Sequence, residues 1–317
     1  MIDAGARRGA DLWLLAATFV IAVAGLVYEL IAATTSSYLV GDSITQFSLV
    51  IGIFLSSMGL GAWLSRFVVR VENGFVSAQI LLSLVGGASA PLMFLAYAYL
   101  GEVQAVTFTL LVVIGALVGM EIPLIARLLE AAGAKHRFEN VLTVDYLGAL
   151  AASLLFPLVI VPMVGLMTAS LMFDALNLGV AALFIWLYRG VGLQPHAVIV
   201  AIAFVAMGAA LWKAEDATSA LTASLYEDEI ILSETTSYQQ ITLTRHQDRT
   251  RLFLNGAIQF DSLDEHRYHE ALVHPAFSAA ARPADILIFG GATVWRCVKC
   301  CANQGCVPSL WLILIRV

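Results

Sequence analysis

The feature that most constrains this chain is a succession of apolar stretches in its first two thirds, each long enough to cross a bilayer. They fall near 12 to 34, 46 to 69, 77 to 99, 104 to 126, 142 to 164, 167 to 188 and 195 to 212. At a rise of 1.5 Å per residue, about 20 helical residues cover the roughly 30 Å of membrane hydrocarbon. Within lipid each backbone polar group must be paired inside its own segment, so such runs predict helices and their number predicts a multi-span bundle. Composition agrees, with 60% of the 317 residues hydrophobic and 13% charged, against roughly a half and a quarter in soluble domains. Small residues recur in the runs: Gly52, Gly59 and Gly61, then Gly115 and Gly119, then Ala149, Ala151 and Ala152. They suit helices that approach closely where lipid supplies no hydrophobic drive between them.

The formal charge of -6 leaves no basic footprint for nucleic acid. Arg7 and Arg8 precede the first apolar run, as they would in a signal peptide. No small-residue cleavage site followed by a polar mature chain comes after it, so the run reads as an uncleaved first helix. Arg66 and Arg70 follow the second run, Arg127, Lys135, His136 and Arg137 the fourth, and Arg189 the sixth, whereas the intervening loops carry Asp42 and Glu102 without Lys or Arg. The positive-inside rule then places the N-terminus in the cytoplasm of a multi-pass inner-membrane protein. Seven spans put the C-terminal part on the other side.

Four carboxylates sit within or at the edge of the spans: Glu29, Glu121, Asp145 and Asp174. An ionised acid inside a membrane helix costs about 2.5–3.5 kcal/mol, so each invites a reading as a cation ligand or proton carrier. Glu29 lies deepest in its run. The other three stand near run ends or part-way in, where headgroup water or a neighbouring Ser or Asn would satisfy them. This pattern supports one alternative class, a non-enzymatic membrane protein or small-cation transporter.

From about Lys213 charge rises and β-rich alternation replaces the long runs. Ile241 to Thr244 and Arg251 to Leu254 read as strands joined through His246 to Arg249, and Asn255-Gly256 as a tight turn into Ala257 to Phe260. Ser262, with Glu265 three residues on, reads as a capping box opening a helix that ends near Pro275. Asp285 to Gly291 reads as a buried parallel strand, bounded by Pro283 and by Gly290-Gly291, whose carboxyl end opens towards a nucleoside site.

These motifs in this order, Tyr238-Gln239, Leu254-Asn255-Gly256 with Gln259, Asp264-Glu265 with Tyr268-His269-Glu270, and ILIFGG, resemble the spermidine synthase family of polyamine aminopropyltransferases. GLVYEL in the first run, SSYLVGDSITQFSL after it and Met58 to Gly61 are similar to the bacterial forms with an N-terminal membrane region. The resemblance implies aminopropyl transfer from decarboxylated S-adenosylmethionine to putrescine, with no cofactor or metal beyond these substrates. It implies thioadenosyl binding by Gln239, Gly290 and Gly291, and amine binding by Tyr268, His269 and Asp264. Such a site needs a base for an ammonium of pKa near 10, acidic and aromatic groups for a polycation, and glycines where the nucleoside meets the backbone. Its donor is cytosolic, in conflict with the sidedness above. Besides the bilayer and the two substrates, a second copy of the chain is retained as a candidate partner.

After Gly291 the family continues GGGDG, a helix and a second strand ending in a ribose-binding acid, with the catalytic base later. The tail here instead reads ATVWRCVKCCANQGCVPSLWLILIRV and holds all 4 cysteines. Cys297, Cys300, Cys301 and Cys306 could be read as a zinc set, which leaves the Asp285 strand without a partner. Translation in a shifted frame is the other reading. Begun one nucleotide earlier, with permitted wobble bases, the tail reads GDGLAVREVLRQPGVCPVAVVDLDPG and restores the glycine loop, helix and acid-ended strand. The expected architecture is thus an α-helical membrane bundle over 1–213 and, over 214–291, a small β unit with the start of a Rossmann-like α/β domain. A frameshifted tail follows over 292–317. In that form the catalytic base lies beyond the truncation and transfer is absent or very low.

Overall fold

The computed structural model describes residues 4–132, 137–188, 192–224, 226–235, 240–254, 256–264, 266–279, 285–288 and 309–312. They divide into two compact units, Met1–Glu227 and Asp228–Val317.

The first unit is helical: α1 (Ala4–Val40), α2 (Ser43–Leu64), α3 (Val71–Leu95), α4 (Val103–Ala132), α5 (Arg137–Leu155), α6 (Leu166–Leu187), α7 (Gln194–Trp212) and the short α8 (Ala214–Ser224). Seven of these helices are long and apolar enough to cross a membrane. Gly41 and Asp42, both at positive φ, turn α1 into α2, and the Asp42 carboxylate caps α2 by accepting from the Thr45 amide at 3.4 Å. Positive φ there suits glycine and, next to it, an Asp able to bond locally.

α1 packs against α2, α3, α4, α5 and α6, which makes it the centre of the bundle. One buried cluster gathers Val27, Tyr28, Ile31, Phe54, Leu82, Met93, Leu111 and Ile114. A second gathers Phe75, Ile80, Leu124, Ile125, Leu128 and Phe184. The outer faces are also apolar: Ile44, Leu55, Leu84, Leu150, Leu158, Ile202 and Val205 are all more than half exposed.

The glycines divide by face. A Cβ on Gly61 would lie 1.9 Å from the Ala116 carbonyl oxygen, and one on Gly119 would lie 2.1 Å from that of Met58. These two seat α2 on α4 as the small-residue pattern predicts. Gly52 and Gly59 have nothing within 4 Å of an added Cβ, so their spacing in the sequence does not mark a packing face.

In the second unit β1 (Glu229–Thr235), β2 (Gln240–His246), β3 (Arg249–Leu254) and β4 (Ala257–Asp261) form an antiparallel sheet in chain order. The β2–β3 hairpin closes through Gln247-Asp248, with His246 paired to Arg249 and Gln247 at positive φ. Gly256, at φ 77, carries the turn into β4. The predicted β unit is therefore present, and β1 extends it by a strand that the sequence reading did not assign.

The expected capping box depends on Glu265, which lies outside the described residues. Ser262 continues the strand pairing: its amide donates to the Thr250 carbonyl at 2.9 Å and its hydroxyl accepts from the Thr250 amide at 2.9 Å. Asp261 holds the turn, its carboxylate accepting from the Leu263 amide at 3.1 Å. A wide π-type turn over His266–Glu270 then leads into α9 (Ala271–Ala279), which runs through Pro275 rather than ending near it. The wide turn already interrupts the ordinary hydrogen-bond ladder just ahead of the proline, which eases its accommodation.

β5 (Asp285–Ile288) pairs in parallel with β6 (Ser309–Leu312), Asp285 opposite Ser309 and Ile288 opposite Leu312. The strand expected to lack a partner thus finds one in the tail. Apolar β-prone residues at both sites supply the pairing.

Candidate functional site

The residues expected to hold the thioadenosyl group, Gln239, Gly290 and Gly291, lie outside the described residues, as do the four tail cysteines. β5 is described to Ile288, just short of the glycines. Next to Gln239, Gln240 opens β2, and its amide donates to the Ser233 hydroxyl at 3.4 Å. Tyr268 and His269 belong to the wide turn, and their side chains lie outside what is described. Asp264 is half-buried on the preceding turn. Its Oδ1 is 3.1 Å from Arg267 Nε and 3.7 Å from His266 Nε2, so the Arg267 guanidinium already faces part of its charge.

A charge cluster that the motif reading passed over lies one step away. Arg249 and Arg251 share one face of β3 at period two, and Arg251 is paired with Asp261 across the sheet. Arg249 Nε donates to both Asp261 oxygens at 3.0 and 2.9 Å, and its Nη2 donates to Oδ2. Arg251 Nε stands 3.4 Å from Asp261, and its Nη1 stands 3.2 Å from Asp228. The forked bond from Arg249, first among the causes, holds the Asp261 carboxyl below the usual range. Asp261 in turn raises the Arg249 guanidinium. This cluster ties β3 to the end of β4 and to Asp228 just before β1, and Asp261 also anchors the turn that carries Asp264. Its sequence signal was the Arg-x-Arg alternation facing an Asp at the end of the next strand.

In the first unit the acids of the apolar helices are not buried in the order that their distance from the run ends suggested. Glu121 and Asp174 are 2% and 1% exposed, more buried than Glu29 at 7%, so headgroup water does not satisfy them. Tyr28 donates from its hydroxyl to Asp174 Oδ1 at 2.9 Å and accepts from Asn177 Nδ2 at 3.0 Å. Gln79 Nε2 donates to Glu121 Oε1 at 2.5 Å. Gly86 and Gly87 admit these groups to the α3 backbone: an added Cβ would lie 2.6 Å from the Tyr28 ring at Gly86, and 1.8 Å from Asp174 Oδ2 at Gly87.

The fold defines a class: a bundle with seven long apolar helices and buried acids, followed in the chain by a four-stranded antiparallel β unit. The chain belongs to the polyamine aminopropyltransferase family over the part that it shares with those proteins. It is 42% identical over 279 residues to the polyamine aminopropyltransferase of Leptospira interrogans, covering 86% of this chain and 55% of that protein. It is 44% identical over 297 residues to polyamine aminopropyltransferase 2 of Ralstonia nicotianae, covering 90% and 58%. The Oceanobacillus iheyensis polyamine aminopropyltransferase is 36% identical over 279 residues, covering 86% and 54%. The chain thus spans little more than half the length of these curated relatives. No family model and no solved structure matches it.

Proposed function

We propose that this chain is the membrane-embedded N-terminal portion of a polyamine aminopropyltransferase, which transfers an aminopropyl group from decarboxylated S-adenosylmethionine to putrescine. The observation that carries the reading is identity of 42–44% to proteins of that name across 86–90% of the chain, bundle and β unit alike. Exposed apolar faces on all sides of the bundle fit a lipid surround, and the parallel β5–β6 pair fits the opening of a Rossmann-like domain. On this reading Gly290 and Gly291 begin the donor site with Gln239, while Asp264, Tyr268 and His269 stand on the amine side. Negative charge there attracts a diammonium substrate, and aromatic faces stabilise its cationic ends.

The tail after Gly291 is a product of a shifted reading frame. In the other frame the same nucleotides supply the glycine loop and the ribose-binding acid, and the catalytic base follows. The test is to sequence the gene past the Gly291 codon and assay two purified proteins in nanodiscs, the 317-residue polypeptide and the frame-restored, extended one. Methylthioadenosine and spermidine are quantified by mass spectrometry. The extended protein is expected to form both and the 317-residue polypeptide neither. An extended protein without transfer overturns the enzyme reading, and nucleotides that do not encode a GDG loop and a VDLD-like strand overturn the frame reading.

A further inference from the structure

The bundle's polar interior lies apart in the sequence from the residues proposed above for aminopropyl transfer. Gln79, Ser83, Gly86 and Gly87 fall at i, i+4, i+7 and i+8 on α3, one continuous face of a helix. Ser170, Asp174 and Asn177 form a matching face on α6, and the Ser170 hydroxyl lies 3.3 Å from the Gly87 carbonyl. Tyr28 from α1 and Glu121 from α4 complete a seam of side chains that are all at most 2% exposed.

The seam has an excess of oxygen. Asn177 Oδ1 and Gln79 Oε1 have no hydrogen-bond partner, and neither does the Ser83 hydroxyl. The other ends of both amides are tied to the acids' own network, Asn177 through Tyr28 to Asp174 and Gln79 directly to Glu121. The Gln79 amide is thus held directly on a buried carboxyl, and the Asn177 amide one phenol hydroxyl away from another. Among the described residues no Lys, Arg or His side chain is buried with them. A buried carboxylate with no positive partner is costly, and so is a buried acceptor with no donor. One positively charged ligand satisfies both needs.

We propose that this seam is a binding site for a monovalent cation, either an alkali-metal ion or a primary ammonium group. Asp174 supplies the charge, and Asn177 Oδ1 and Ser83 Oγ supply neutral oxygens. Glu121 with Gln79 repeats the carboxylate-amide pair two turns along α3. Hard cations take such oxygen ligands, and an ammonium offers three donors and no acceptor. The site does not rest on the aminopropyl-transfer reading, since it uses only the helical unit.

The test is equilibrium binding of radiolabelled sodium and, separately, radiolabelled putrescine to the purified 317-residue chain in phosphatidylcholine nanodiscs, read by scintillation proximity. Saturable binding of sodium assigns the site to alkali ions, and saturable binding of putrescine assigns it to ammonium groups. Asp174→Asn is expected to weaken binding by about tenfold or more, since a buried charge partner is lost. Asn177→Ala, which leaves the Tyr28–Asp174 bond in place, should weaken it by a smaller factor. Glu102→Gln, in an exposed loop, should leave it unchanged. Absence of saturable binding of both probes to the parent chain overturns the proposal, as does binding that neither Asp174→Asn nor Asn177→Ala alters.

Discussion

A methyl group at Gly61 would destabilise the bundle, whereas the same methyl at Gly59, two residues away on α2, would not. At Gly61 the added Cβ lies 1.9 Å from the Ala116 carbonyl oxygen and 2.6 Å from its carbon, distances far below the 3.0 Å that real contacts respect. Both atoms are backbone, so no rotamer relieves the clash. Helices α2 and α4 must part by about 1 Å, a gap that forfeits roughly a quarter to a half of each dispersion contact along that seam. Overpacking of this kind costs about 1–3 kcal/mol, and the better helix propensity of Ala offsets at most about 1 kcal/mol. Gly59 has nothing within 4 Å, so there only the propensity gain of up to about 1 kcal/mol applies. Gly119→Ala opens the same seam against Met58, so the double variant should cost less than the sum of the two. Thermal denaturation of the detergent-solubilised variants by far-ultraviolet circular dichroism measures the difference. A Gly61→Ala protein as stable as Gly59→Ala would refute the close approach.

Two further predictions concern the second unit. Asp261→Ala leaves Arg249 and Arg251 facing each other and should lower protection of β2 to β4 by about 1.5–3 kcal/mol in hydrogen-exchange mass spectrometry, the worth of charged hydrogen bonds. Because the folded Asp261 carboxyl is held below its ordinary range, its contribution is complete above about pH 4 and fades as pH falls through the lowered value. An acid limb identical in variant and parent would contradict this. If all seven long apolar helices span a membrane, the basic-loop count puts the second unit outside the cytoplasm, and protease added to spheroplasts is then expected to cleave it. Cleavage only after lysis reverses the assignment and agrees with a cytosolic donor.

Much of this protein was legible in the residues alone, because long apolar helices and the β pleat follow strong sequence patterns. Seven apolar runs of about 20 residues read as helices, and seven long apolar helices are present. Alternation around Gln247-Asp248 and Asn255-Gly256 marked the hairpins, and the motif order around Asp264, Tyr268 and His269 marked the family that the relatives bear out. Local pattern could not say which partner each group meets. Ser262 had the spacing of a cap, yet strand pairing with Thr250 claimed its hydroxyl. Gly59 and Gly61 look alike in the sequence, and only the docking of α2 on α4 separates them. Glu29 stood out by depth along its run, but burial depends on how helices face one another. That rotation brought Asp174 and Glu121, rather than Glu29, into the polar seam with Tyr28, Asn177 and Gln79. Membership of a helix is written in consecutive residues. The meeting of carboxylates, amides and a tyrosine from four helices is a property of their packing alone.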